Sequence, residues 1–148
     1  MIRLMLAVAV LAAAPACASL DAVKAEPNPE KRADLALDNA GLALKAAQEA
    51  YLAQADMKRV GASLQEVSAS VDLAFASLQE THKTASQNPK HFKRAEILTR
   101  ELLRRIDDLR QQMSAEDRDE IDRVRAAVQK VNESLLDGMM GGKKKAQP

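Results

Sequence analysis

Residues 57–78 read MKRVGASLQEVSASVDLAFASL, and within them Met57, Val60, Leu64, Val67, Val71, Ala74 and Leu78 recur at steps of three and four without interruption. Such steps average 3.5 residues and gather the apolar side chains into one stripe along a helix. A stripe of that period is buried by another helix lying nearly parallel to it, not by a sheet.

The same pattern extends outward in both directions. Upstream, Ala33, Leu37, Ala40, Leu44, Ala47 and Tyr51 form a second seam; downstream, Phe92, Ala95, Leu102, Ile106, Leu109 and Met113 form a third, with a polar lapse at Thr99. Ile121, Val124, Val128, Val131 and Leu135 form the fourth. Asn28-Pro29 and Asn88-Pro89 are matching start signals, each an Asn to cap free amides and a Pro preset for the first turn. Asp56 is the cap expected for the second helix, Ser114-Ala-Glu-Asp117 resembles a capping box, and Gly138 is a natural stop. The helices are therefore expected at 29–53, 56–85, 89–113 and 115–137. Short connections make sequential neighbours antiparallel, so the predicted fold is all-α, an antiparallel up-down-up-down four-helix bundle. The rival is two stacked α-hairpins of a helical-repeat type.

The 148 residues suffice for one domain and no more. Residues 1–18 have the three-part layout of a secretory signal peptide: Arg3, an uncharged apolar run from Leu4 to Ala14, and Ala16-Cys-Ala18 as a small-residue cleavage motif. The run is too short for a spanning helix, which needs about 20 apolar residues. The expected organisation is thus a signal peptide at 1–18, a disordered linker at 19–27, the bundle at 28–138 and a flexible Gly/Lys tail at 139–148. Cys17 is also a possible lipidation site, although Ala14 and Pro15 fit the residues before a lipidated cysteine poorly. Export places the protein in the periplasm or outside the cell, in a bacterial envelope, and only lipidated Cys17 would hold it to a membrane.

Loss of Arg3 with the leader takes the basic count from 22 to 21, equal to the 21 acidic residues, so no global field steers the mature chain toward nucleic acid. Aromatic residues are 2% of the chain, namely Tyr51, Phe75 and Phe92, which leaves no platform for stacking bases. Catalytic signals are missing too. There is no Gly-rich phosphate loop, and Ser63, Ser68, Ser70 and Ser77 lie inside a helical repeat that offers no strained turn. His82 and His91 flank one turn, but neither has the Glu three residues earlier that ferritin-like metal sites use. The reading is a non-enzymatic protein with no cofactor and no metal.

Two features point to partners. Lys90, Lys93, Arg100 and Arg104 fall on the face of the third helix opposite Leu102 and Ile106, with Ile97 among them, and form a possible anionic-partner face. The first helix adds Leu35, Leu42, Ala46 and Ala53 nearly opposite its seam, with Ala36, Ala43 and Ala50 between. An arc that wide either sits deep between neighbours or meets another chain. The expected function is protein–protein contact through helix faces, as a structural, adaptor or self-associating protein. The alternative is peripheral binding of anionic surfaces or polymers through the basic face and the Lys143–Lys145 tail.

Overall fold

The computed structural model describes residues 19–54 and 56–144. The leader and Cys17 lie outside the described residues. All secondary structure among them is helical: α1 (Leu20–Lys24), α2 (Pro29–Gln54), α3 (Met57–Glu80), α4 (Pro89–Gln112) and α5 (Asp119–Lys144), with a 3-10 turn at Ala115–Asp117. The four long helices pack against one another around one core.

The tightest partnership is between α2 and α3. Ala33, Ala36, Ala40, Ala43, Ala47 and Ala50 step along α2 by three and four and are all buried. Side chains this short let two helix axes approach to about 8 Å, the near limit for packed helices. On α3 the answering positions are Val60, Leu64, Val67, Ser70, Val71, Ala74, Ser77 and Leu78. The wide apolar arc of α2 thus lies deep between neighbours over most of its width, and Leu37 and Leu44 complete it. Two polar rungs fix the register. Arg32 donates to Ser77 Oγ at 2.9 Å, and seven residues on, Asn39 donates to Ser70 Oγ at 2.9 Å and to Glu66 at 2.9 Å.

The second partnership, α4 with α5, uses larger side chains. Phe92, Leu102, Ile106 and Leu109 meet Ile121, Val124, Val128, Val131 and Leu135. It too buries one polar rung: Asn132 Nδ2 donates to Thr99 Oγ1 at 2.8 Å and to the Glu96 carbonyl at 3.1 Å. Asp107–Arg125 and Arg110–Asp122 close its other end. Among the described residues no buried side-chain polar atom lacks a partner.

Between the two pairs, α2 lies against α4 and α3 against α5, whereas α3 and α4, though consecutive, touch only slightly. Along α2 and α4 the residue numbers rise together, from Asp34–His91 through Asp38–Arg94 to Arg105, which donates to the Gly41 carbonyl. Tyr51 Oη, at the far end, accepts from the Ser114 amide at 3.0 Å.

Several boundaries differ from expectation, each for a local reason. Residues 19–27 are not a bare linker: Ser19 caps α1, and Val23 is buried in the core against α2 and α3. The second helix stops at Glu80 rather than Ala85, because His82 takes a left-handed conformation at φ 54°, the place glycine usually fills after a helix. Asp56 caps α3 as expected, accepting from the Arg59 amide at 3.2 Å. Ser114 bonds the Asp117 carboxylate and belongs to the 3-10 turn, so α5 starts only at Asp119. Gly138 does not stop α5, which runs to Lys144, six residues into the expected tail. A helical glycine costs only about 1 kcal/mol, and Met139 packs on the core one position further on.

These contacts set two opposite expectations for substitution. A Cβ at Gly61, in the interior of α3, meets nothing within 4 Å, so Gly61→Ala should raise stability by about 0.5–1 kcal/mol through chain entropy alone. Ala40 is fully buried in the seam, so Ala40→Leu should lower stability by about 1–3 kcal/mol through overpacking. Urea unfolding of both variants checks the pair.

Candidate functional site

The four cations singled out in the sequence, Lys90, Lys93, Arg100 and Arg104, are all exposed on the outward ridge of α4. Their spacing of three, seven and four residues keeps them on one side of the helix. Ile97 stands in the middle of the row and is 40% exposed. Arg100 Nε lies 3.6 Å from the Glu96 carboxylate on its own helix, while Lys90, Lys93 and Arg104 make no ion pair or side-chain hydrogen bond among the described residues. Further along α4, Arg105 turns to α2, where it donates to the Gly41 carbonyl, and Arg110 pairs with Asp122 of α5.

Beside this ridge runs a shallow groove between α2 and α4, with a volume of about 330 Å³, lined by Leu37, Asp38, Gly41, Leu42, Leu98, Glu101, Leu102 and Arg105. Its floor is aliphatic and its walls carry both signs of charge. The outward ridge of α2 completes the surface, with Leu35 at 36% and Leu42 at 47% exposure, seven residues apart. Two parallel ridges and the groove between them thus present Leu35, Leu42, Ile97 and half-buried Leu98 on one side of the molecule. α1 lies elsewhere, on α2 and α3.

At one end of that surface a charge network ties α2 to α4 and to the preceding loop. Lys83 Nζ lies 2.8 Å from Glu30, and Asn88 Nδ2 donates to the same carboxylate at 3.0 Å. His91 sits between two acids, with Nδ1 3.3 Å from Asp34 and Nε2 3.8 Å from Glu30. Arg94 reaches Asp34 at 3.3 Å and Asp38 at 3.0 Å. This explains why Asn88 makes no side-chain cap bond to α4, whereas Asn28 caps α2 through the Lys31 amide at 3.0 Å. Of the two histidines, His91 faces Asp34 and Glu30, and exposed His82 serves as the left-handed stop of α3. Among the described residues no group of three or more His, Cys, Asp and Glu side chains is placed to hold a metal ion, and no helix is long and apolar enough to cross a membrane.

The sequence reading found the basic ridge but missed this network and the groove. A signal was present: Glu30, Asp34 and Asp38 recur every four residues and so share one side of α2. What they face depends on which helix lies alongside, and α4, not a sequence neighbour, is what they meet. No protein-family model, curated protein or solved structure matches the chain.

The network gives stability a definite acid dependence. The hydrogen bond from Lys83 holds the Glu30 carboxyl below the usual carboxylate range, against the opposing effect of burial. The bonds from Lys31 and the Asn28 amide do the same for Glu26, and that from Arg110 for Asp122. A carboxyl with a lowered folded-state pKa stabilises the fold above its unfolded pKa of about 4 and loses that contribution as the pH falls through the folded value. The urea midpoint should therefore drop from about pH 5 to about pH 3, and Lys83→Met should flatten the drop. An unchanged slope in Lys83→Met would remove Glu30 from the account.

Proposed function

We propose that this chain is an exported, non-enzymatic helical protein that acts through the contacts of its helix faces, in a structural, adaptor or self-associating role. The observation that carries this reading is the two-ridge surface of α2 and α4, where Leu35, Leu42 and Ile97 stay exposed on neighbouring helices; Leu52, Leu136 and Met140, nearer the ends of α2 and α5, are also exposed. Contiguous apolar side chains rimmed by charge on a folded domain mark interaction surfaces. The grooves between α2 and α4 and beside the loop after α3 are open and shallow. Localisation to the periplasm or the outside of a bacterial cell rests on the layout of residues 1–18.

The same reading includes the finer architecture. The helices alternate in direction, as in an up-down-up-down bundle, but are arranged as two α-hairpins side by side, α2–α3 and α4–α5. The contacts of Asp34, Asp38 and Gly41 with α4 support this arrangement, as does the slight contact between α3 and α4. It sets two parallel helices, not an antiparallel pair, on the surface that carries the exposed leucines.

A second reading is supported by the cations of α4 that lack intramolecular partners: peripheral binding to an anionic surface or polymer. Against it stand Asp38, Glu49 and Glu101, exposed acids on the same side of the molecule that a uniformly anionic surface would repel.

Two measurements test the proposal. The intact mass of the protein from its native host should correspond to a chain starting at Ser19; a diacylglyceryl-modified Cys17 would place it on a membrane, and an uncleaved chain would refute export. A photo-crosslinking residue at position 42 or 97 should give protein adducts in the cell, whereas one at exposed Ala62 on α3 should not. Equal yields from all three positions would deny the α2–α4 surface any special role.

A further inference from the structure

The surface formed by α2 and α4 is complementary to itself. Its α4 ridge carries Lys90, Lys93, Ile97, Arg100 and Arg104, and its α2 ridge carries Leu35, Asp38, Leu42 and Glu49, with Lys45 lying 3.8 Å from Glu49 on the same helix. We propose that this surface docks a second copy of the chain, with α2 of each copy lying on α4 of the other about a two-fold axis that runs along the helices. The inference rests on the reading of the protein as one that acts through helix faces, and it names the partner.

Three observations select this occupant. The first is charge. Laying α4 on α4 would set four cations against four, whereas laying α2 on α4 brings Asp38 and Glu49 to the basic row, and the two-fold supplies the contact twice.

The second is level. Because α2 and α4 rise together, with Arg94 3.0 Å from Asp38 and Arg105 3.3 Å from the Gly41 carbonyl, a two-fold along the helices keeps every residue at its own height. Leu35 and Leu42 of the second copy then straddle Ile97, and Asp38 of the second copy comes within side-chain reach of Arg100. The apolar residues thereby meet at the centre of the contact, with charges around them, as in stable interfaces.

The third is size. Helices of 26 and 24 residues lying side by side offer a surface of about 36 Å by about 20 Å, or about 700 Å² per copy, close to the roughly 800 Å² per partner of a standard interface. That area and the modest apolar content fit a reversible dimer better than an obligate one. A flat anionic membrane would leave the recessed Leu98 and Leu102 unused and would face Asp38, Glu49 and Glu101.

Sedimentation equilibrium of the purified protein, from about 1 to about 300 μM, reads the association directly. The expected result is a monomer–dimer equilibrium whose dissociation constant rises about tenfold between low and high salt. Two exposed-site variants then test the geometry: Lys93→Glu/Arg100→Glu/Arg104→Glu, which makes the α4 ridge acidic, and Asp38→Lys/Glu49→Lys, which makes the α2 ridge basic. Each alone should be monomeric, with the helical circular dichroism of the parent. Mixed together they should form a heterodimer, because both of its α2–α4 contacts are again of opposite charge. A protein that stays monomeric throughout, a dimer that survives both variants, or a mixture that fails to associate would each overturn the proposal. The broader reading fails separately: a monomer that still crosslinks from position 42 to a different, identified protein refutes self-docking alone, whereas a monomer that binds only anionic vesicles refutes both.

Discussion

The close approach of α2 and α3 along a seam of alanines is the contact on which the other arrangements depend. Six alanines at three- and four-residue steps leave no room for rotation of α2, because any turn would drive Leu37 or Leu44 into α3 and lift the alanines out of contact. Asn39 and Ser70 hold the axial register, since a slip of one turn would bury an unpaired amide in the seam. With α2 held in both respects, its acids Glu30, Asp34 and Asp38 point to one side, and there the first half of α4 finds them. The exposed leucines are oriented by the same constraint: Leu35 and Leu42 lie outside because the alanines lie inside.

The second pair, α4 and α5, packs on this frame by different means. Its seam is built from Leu, Ile and Val with Phe92, so its helices stand less close, and its register comes from Thr99 and Asn132 with the Asp107–Arg125 and Arg110–Asp122 pairs at the end. Exposed ion pairs of this kind contribute little each. The contact between α2 and α4 therefore draws on apolar burial around Leu37, Leu98 and Leu102, while the charges set direction. That division of labour leaves the Lys90–Arg104 row of α4 free of structural duty, apart from the link between Arg100 and Glu96.

The four long helices were legible in the sequence because period and caps agree: Asn28, Asp56 and the stripes of 57–78 all point the same way. Boundaries set by a balance of small terms were not. His82 ends α3 with no glycine to announce it, Gly138 is carried through α5 by Met139 and the helix around it, and Val23 turns an expected linker into a short helix by finding a place in the core. The basic ridge was legible as a helical face. The groove and the His91 network were not, because each needs the relative placement of α2 and α4, elements separated by a whole helix in the chain, and a 3.5-residue period says which side of a helix is buried but not by whom.

The claim that the α2–α3 seam anchors the molecule is tested most directly by native-state hydrogen exchange resolved to single amides. If the seam is the anchor, the amides of Ala40, Leu44 and Ala47 on α2 and of Val67 and Val71 on α3 exchange only through global unfolding, as one cooperative unit, and are the slowest in the protein. Amides of α5 from Gly138 onward then exchange through local fraying. Slower exchange in α4 and α5 than in α2 and α3, or separate opening of α2 from α3, would contradict the account.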